Sequence, residues 1–406
     1  MRSDPTPRPV RRARLDDFYD LDAQLAPEER MIRDGVREFV RAELLPRVAA
    51  WWSEGVFPPE LPRQLGELGV LGVTLPEAYG GAGASATAHG LVAQEVEYAD
   101  SGLRSFVSVQ SSLVMYPILR WADAALKRAW LPRLASGEAV GCFGLTEPDA
   151  GSDPGAMRTR CRRVGDEWVI NGVKRWITSG SRAHLAIVWA REEPAGTAPG
   201  SGDGRVLGFV VDTDRPGFQA VDIKTKASMR ASVTSELYLD EVVVPDAQRL
   251  DVVGLGGALT CLNQARYGIA WGVLGAGFAC LEEAVAYVAD RPAFGRPLAA
   301  KQLVQARLAD MLADLTKGSL VAHQLGRLKD RGQDTPARVS LAKRDNVRAA
   351  LNAARAARDL LGGNGITTEY ASIRHMLNLE SVATYEGTDA VHTLVLGREI
   401  TGEAAF

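Results

Sequence analysis

The sequence predicts a mainly α-helical, multidomain α+β protein in three parts: an N-terminal helical domain, a small middle β domain and a C-terminal four-helix bundle. Three observations carry this expectation. Apolar residues recur at helical spacing through the first third, short β-branched and aromatic runs crowd the middle, and periodic segments of about 30 residues fill the last third. At 406 residues the chain is long enough for two or three domains around ample apolar cores.

The first helical pattern covers residues 27–45. Pro27 suits a first helical position, Glu28 and Glu29 complement the helix dipole, and Ile32, Val36, Phe39 and Val40 form one apolar stripe. Pro46 is expected to end it. Further helical patterns cover 61–68, 86–98, 108–120 and 122–134, with Tyr79-Gly80-Gly81-Ala82-Gly83 separating the second from the third. The character changes near Gly141. Strands are expected at 167–170 and 173–178, flanking Asn171-Gly172, which is the strongest short hairpin signal in the chain. More strands are expected at 185–189, 206–211, 218–221 and 236–239, while 194–204, rich in Gly, Pro, Ser and Thr, reads as a loop. After Gly254-Leu255-Gly256-Gly257 helical periodicity returns over 259–288, 300–329, 336–361 and a last stretch to Ile400, lengths that suit an antiparallel bundle. Domains are therefore expected at 26–140, 141–255 and 256–406, behind a flexible leader, 1–25. Arg2, Arg8, Arg11, Arg12 and Arg14 lie among prolines at its start, as in a disordered leader or a short targeting remnant.

Hydrophobic content of 46% and charged content of 24% are ordinary for a globular protein. A formal net charge of −3, without basic and aromatic residues interleaved, argues against nucleic acid as a partner. Cys142, Cys161, Cys261 and Cys280 form no CxxC pair and the five histidines are scattered, so no metal site is expected. No apolar run reaches the roughly 18 residues of a membrane span, and the start does not resemble a signal peptide. The expectation is a cytoplasmic protein, or a mitochondrial-matrix one in a eukaryote.

Candidate chemistry centres on Thr384-Tyr385-Glu386-Gly387-Thr388. A lone carboxylate between an aromatic ring and a glycine is desolvated by its neighbours, which moves its pKa toward the range of a general base, roughly 6–7. A turn with a solvated acid has the same sequence. No GxGxxG follows a strand, so a Rossmann cofactor site is unsupported. Phe143-Gly144-Leu145-Thr146-Glu147-Pro148, leading into Gly151-Ser152-Asp153, offers hydroxyls and free N–H groups to a heterocycle or a phosphate, or else joins two domains as a turn. Trp176-Ile177-Thr178 ends a strand with an aromatic plate and a hydroxyl that would back a flat ring, or packs in the core. Leu361-Gly362-Gly363-Asn364-Gly365 reads as a helix C-cap or as a close approach of backbone to ligand.

Together with Asp290-Arg291…Phe294-Gly295, these motifs occur in the order found in acyl-CoA dehydrogenases, a family the chain resembles from about residue 26 to its end. Glu97…Ser101-Gly102-Leu103-Arg104-Ser105 with Ser108-Val109-Gln110-Ser111-Ser112, Asn263-Gln264-Ala265-Arg266-Tyr267-Gly268-Ile269-Ala270-Trp271-Gly272 and the closing Gly402…Phe406 resemble the glutaryl-CoA branch. The resemblance implies FAD held between β domain and bundle, and a homotetramer in which a neighbouring subunit completes each flavin site. It implies that Phe143, Leu145, Thr146, Gly151, Ser152, Trp176, Ile177 and Thr178 line the flavin. Arg291, Phe294, Gln302, Asp359, Leu361, Gly362, Gly363, Thr388 and Phe406 would serve the rest of the cofactor, and Ser152, Arg266, Tyr385 and Gly387 the acyl-CoA. On their own, Arg291 reads equally as a helix-end cation facing Asp290, Gln302 as a surface polar residue and Arg266 as a structural ion-pair member.

Arg104 has two readings. It pairs with Glu97, seven residues earlier on the same helix face, or, as the resemblance implies, its planar fork binds the distal carboxylate of glutarate. Ser105 and Ser108 would then add hydrogen bonds, with Glu97 holding the guanidinium in place. The implied chemistry is oxidation of glutaryl-CoA and loss of CO₂ to give crotonyl-CoA, with Glu386 as base and then acid and electron-transfer flavoprotein as acceptor. A glutaryl-CoA dehydrogenase without decarboxylation, a short-chain monocarboxylic acyl-CoA dehydrogenase or oxidase, and a flavin- or acyl-CoA-binding protein without turnover are the competing readings. An unpaired guanidinium facing a methyl-ended chain is costly to bury, which weighs against the short-chain one.

Overall fold

The computed structural model describes residues 14–193 and 204–405. Helix α1 (Pro27–Phe39) has Pro27 at its first position, and the Glu29 carboxylate turns back to accept the Ala26 N–H at 2.9 Å. Pro46 does not end this helical path. A π turn over Val40–Leu44 widens the helix, with the Leu45 N–H reaching back to the Val40 carbonyl. Helix α2 (Leu45–Glu54) then continues with Pro46 in its first turn, where the missing N–H and the ring are tolerated. Residues 14–25, read above as leader, are already folded: Leu21 and Leu25 are buried, and Asp17 accepts the Leu21 N–H at 2.6 Å. The leader's residues 1–13 lie outside the described residues.

Helices α3 (Leu61–Glu67), α4 (Ala86–Ala99), α5 (Ser101–Ser108), α6 (Tyr116–Trp121) and α7 (Ala124–Ala135) complete the first domain, with a second π segment, Val109–Met115, joining α5 to α6. The helical pattern expected at 108–120 is only the end of a longer path. It begins at Ser101 because Asp100, extended at φ −166°, stops α4 and caps α5 by accepting the Gly102 N–H at 2.7 Å.

The middle domain carries β1 (Gly141–Gly144), β2 (Arg160–Val164), β3 (Glu167–Thr178), β4 (Leu185–Glu192), β5 (Val206–Asp212), β6 (Phe218–Asp222), β7 (Thr234–Pro245) and β8 (Arg249–Val253). They form one mixed sheet in the order β6-β7-β3-β2-β4-β5-β8, with β1 parallel to β4. Asn171-Gly172 is not a hairpin turn. Both residues lie within β3, at a shift of register against β7, and the tight turn instead sits at Gly165 (φ 62°) between β2 and β3. Glu241 on β7 explains the difference. Its carboxylate accepts from Asn171 Nδ2 at 2.6 Å and its N–H donates to Asn171 Oδ1 at 2.8 Å, so the amide serves the sheet rather than a turn. Most of the loop expected at 194–204 lies outside the described residues.

The last part is a bundle of α8 (Leu255–Asp290), α9 (Gln302–Asp330), α10 (Pro336–Leu360), α11 (Ala371–Thr384) and α12 (Asp389–Thr401). Helix α8 is its axis, buried along most of its length from Cys261 to Leu281. Its length and mean hydropathy of 1.4 would allow a membrane crossing, but 78% of that stretch is covered by the rest of the chain. Small residues let neighbours approach: a Cβ on Gly275 would stand 1.9 Å from the Gln94 carbonyl oxygen, and one on α4's Gly90 2.4 Å from Trp271. The observed order is helical, β, helical, as the sequence predicts.

Gly275→Ala is therefore expected to destabilise the fold by about 1–3 kcal/mol through overpacking. Gly35→Ala, in α1 with nothing near the added methyl, is expected to be neutral or stabilising by up to ~1 kcal/mol. Thermal and urea unfolding of the two variants measures the contrast.

Candidate active site

The break at Asp100 decides where two charged side chains meet. Glu97 closes α4 and Arg104 sits one turn into α5, so they face each other across the break rather than along one helix. Arg104 Nε donates to Glu97 Oε2 at 2.5 Å, with both side chains almost completely buried. Gly272 on α8 leaves the room, since a Cβ there would stand 2.2 Å from Glu97 Oε2 and 3.1 Å from Arg104 Cδ. The other prong of Arg104, Nη2, donates to the Tyr385 hydroxyl at 2.5 Å. Burial opposes the guanidinium's charge, but Glu97, Tyr385 and Glu386 outweigh it and hold Arg104 firmly protonated.

Tyr385 leads directly to Glu386 and Gly387 in the link between α11 and α12. Glu386 adopts φ 52°, a left-handed conformation unusual for a side chain other than glycine. Arg266 of α8 donates from Nε to the Glu386 carbonyl at 2.7 Å. Lys343 of α10 donates from Nζ to the carbonyls of Tyr385 at 2.9 Å and Gly387 at 2.7 Å. Burial raises the pKa of the Glu386 carboxyl above its ordinary value, and the charges of Arg104, Arg266 and Lys343 pull it partly back. Burial lowers the Lys343 ammonium to about 7 against the attraction of Glu386. Gly387 (φ 93°) lies against His392 and Arg266. Thr388 Oγ caps α12 by accepting the Val391 N–H at 3.2 Å, so this hydroxyl already has a structural partner.

Several buried polar atoms around this centre have no partner among the described residues: Glu386 Oε2, Glu97 Oε1, Arg104 Nη1 and the hydroxyls of Ser101 and Ser108. Ser101, Arg104 and Ser108 are spaced to share one face of α5. Ser105 is also buried there.

A second group lies in the β domain. Lys174, fully buried on β3, donates to the Leu145 carbonyl at 3.1 Å and to Glu147 Oε1 at 2.8 Å. Glu147 in turn accepts the N–H groups of Arg158 and Thr159, and the Arg175 N–H donates to the Thr146 carbonyl at 2.9 Å. The loop that follows β1 is thus fastened to β3, leaving Gly151 and Ser152 exposed. Trp176 (φ 63°), at a second register shift in β3, is 54% exposed with the Arg175 guanidinium 5.0 Å from its ring. Thr178, which closes β3, is half-buried. The side chains of Phe143, Leu145 and Ile177 pack into the hydrophobic cores.

A third group is far from Glu386. Arg291, Phe294 and Gln302 lie at the α8–α9 turn, and Asp359, Leu361, Gly362 and Gly363 at the end of α10. Arg266 and Arg291 are 25 residues apart along the same helical path, about 37 Å at 1.5 Å per residue. Phe294 is 96% exposed, Arg291 and Gln302 are exposed, and Gly362 and Gly363 have open space where a side chain would stand. Arg291 does not pair with Asp290. The Asp359 carboxylate is tied to Arg307, and Leu361 is buried. Phe406 lies outside the described residues.

Models of the N-terminal, middle and C-terminal domains of acyl-CoA dehydrogenase match residues 26–138, 142–242 and 253–401. The chain belongs to the acyl-CoA dehydrogenase family. A crystal structure of glutaryl-CoA dehydrogenase from Mycobacterium smegmatis is 52% identical, with a TM-score of 0.93 over 97% of this chain and 100% of that one. A structure of a glutaryl-CoA dehydrogenase from the same organism in complex with FADH2 is 49% identical, with a TM-score of 0.93 and the same coverage. Mouse short-chain specific acyl-CoA dehydrogenase is 33% identical over 397 residues, 96% of this chain and 95% of that protein. Within this acyl-CoA dehydrogenase frame, sequence reasoning missed Lys343 and the Lys174–Glu147 pair. Neither lysine carries a local signal in the sequence, because their partners lie in distant segments.

Tyr385→Phe removes the acceptor of a buried guanidinium donor, and an expected loss of about 1–3 kcal/mol should appear in urea unfolding. Glu97→Gln combined with it closes a double-mutant cycle that reports how strongly the two partners of Arg104 are coupled.

Proposed function

We propose that this protein is an FAD-dependent glutaryl-CoA dehydrogenase that oxidises and decarboxylates glutaryl-CoA to crotonyl-CoA. The observation that carries the reading is Arg104: a buried guanidinium with one donor, Nη1, unpartnered among the described residues, on the same helix face as the unpartnered hydroxyl of Ser108. Such a set suits a carboxylate at the far end of an acyl chain whose near end reaches Glu386.

FAD suits the second and third groups of residues. The half-exposed Trp176, Thr178 and the exposed Gly151-Ser152 would hold its flavin side. Arg291, Phe294, Gln302 and Gly362-Gly363, about 37 Å along α8 from Arg266, are too distant for that same flavin. They would serve the cofactor of a neighbouring copy, which supports a homotetramer. When bound, FAD supplies the acceptor for the hydride leaving the β-carbon. Electron-transfer flavoprotein is the proposed final acceptor, and the cytoplasm, or the mitochondrial matrix in a eukaryote, the proposed location.

The chain's own part is proton handling and anchorage. Glu386, its pKa raised by burial, takes the α-proton, whose acidity the thioester already enhances. With the β-hydride also gone the product is glutaconyl-CoA. Its distal carboxylate then leaves as CO₂, and the electron pair of the broken C–C bond delocalises into the thioester as a dienolate. Protonated Glu386 returns its proton to the γ-carbon, which gives crotonyl-CoA. Arg104, fixed by Glu97 and Tyr385, holds the carboxylate before this step, and Ser105 and Ser108 line the same end. Arg266 and Gly387, beside Glu386, would contact the thioester end.

Two observations favour a short-chain monocarboxylic substrate instead. Glu97 already balances the charge of Arg104, and the mouse short-chain enzyme is among the relatives. Turnover of glutaryl-CoA against butyryl-CoA separates the two. The expected result is preference for glutaryl-CoA with release of CO₂, and preference for butyryl-CoA would overturn the proposal. Glu97→Gln/Arg104→Met, which removes both charges together, is expected to lower kcat/KM for glutaryl-CoA by about 100-fold or more while changing that for butyryl-CoA far less. Glu386→Gln is expected to slow flavin bleaching by substrate by about 10²–10⁴-fold, read by anaerobic stopped-flow absorbance.

A further inference from the structure

We infer that Lys343 is a positioning residue that sets both the backbone conformation and the ionisation of Glu386. The inference rests on the reading of Glu386 as the base.

The argument starts from the backbone. Glu386 holds a left-handed φ of 52° that a side chain other than glycine adopts only when its surroundings impose it. The carbonyls of Tyr385, Glu386 and Gly387 all accept hydrogen bonds from buried cations, the outer two from Lys343 and the middle one from Arg266. Lys343 is 1% exposed. Packing of its aliphatic stem would account for burial alone. It does not account for one ammonium spanning the carbonyls on both sides of the base. That bridge fixes the Tyr385–Glu386 and Gly387–Thr388 peptide planes, Arg266 fixes the Glu386–Gly387 plane between them, and together they set the direction of the Glu386 side chain.

The same ammonium acts on charge. The charges of Glu386 and Lys343 attract one another in a buried site, each favouring the charged form of the other. The other titratable groups facing this pair are Arg104 from α5, Tyr385, Arg266 from α8, and Asp389 and His392 from α12. Arg266 holds the segment at its middle carbonyl, and Lys343 is the cation that spans the carbonyls on both sides of it. Its positive charge lowers the pKa of Glu386, so its removal must raise that pKa and leave the base protonated at higher pH.

The test compares Lys343→Met and Lys343→Arg with the wild type, as full-length FAD-loaded protein. Hydrogen exchange needs no substrate: the peptide spanning residues 385–392 is expected to exchange about 10-fold faster or more in the Met variant, with the core of α8 unchanged. Anaerobic flavin bleaching by glutaryl-CoA is expected to slow by about 10–100-fold with little change in KM. The acid limb of its pH profile is expected to move to higher pH, and the Arg variant to move it back. A folded Met variant with unchanged exchange and an unmoved acid limb overturns the inference, whatever its rate. If the wild type is bleached by no acyl-CoA, the reading of Glu386 as base fails, while the exchange data still decide whether Lys343 holds the segment. Should the Met variant not accumulate, Lys343→Gln carries the same comparison.

Discussion

The arrangement depends on one buried carboxylate, Asp100. Its Oδ1 caps α5, and its Oδ2 accepts from Arg374 Nη1 at 2.7 Å and Asn378 Nδ2 at 2.8 Å, both on α11. Asn378 extends the link, accepting from the Trp52 indole at 3.0 Å and from the Met229 N–H at 2.7 Å. First helical domain, β domain and bundle thus meet at one charge. Breaking a buried pair of this kind typically costs about 3–5 kcal/mol, because the partner is left unpaired. Moreover, the interruption it imposes on α4 and α5 turns Arg104 toward Glu97, and α11, anchored by Asp100, delivers Tyr385 to Arg104. Fold and site share the same support.

Around Glu386 the chain sets desolvation against charge. A carboxyl buried alone would stay protonated through the neutral range, and one beside three unscreened cations would be too weak a base. Arg104, Arg266 and Lys343 occupy intermediate ground: Arg104 is largely neutralised by Glu97, while Arg266 and Lys343 spend their donors on backbone carbonyls. The result is a carboxyl raised by burial and restrained by its neighbours, held on backbone that would not adopt its shape unaided.

The three-part order was legible because each part has its own period, 3.6 in the helices and 2 in the strands. Local signals failed where neighbouring geometry or a distant partner overrode them. Pro46 is absorbed by a π turn, Ser101 to Ser108 is helical because Asp100 caps it, and Asn171-Gly172 is held in the sheet by Glu241. At the site, the motif around Glu386 and the Arg104 segment were visible, and the structure brings Glu97, Arg104, Tyr385, Glu386 and Arg266 together. Lys343 was not visible, since its partners are main-chain carbonyls 42 and 44 residues away that any sequence carries. Nor could spacing tell that Phe143, Leu145 and Ile177 turn their side chains into the cores, because alternation along a strand does not say which face a ligand would occupy.

Asn171-Gly172 bears on the chemical ageing of the chain. An asparagine before glycine is the pair most prone to deamidation, because the following backbone nitrogen can close on the side-chain amide as a succinimide. Here Glu241 holds that amide from both its oxygen and its nitrogen, and Gly172 is pressed against Thr159 within the sheet. Ring closure first requires the amide to leave Glu241 and the Gly172 backbone to turn within β3, so the folded sheet slows conversion to aspartate at this position.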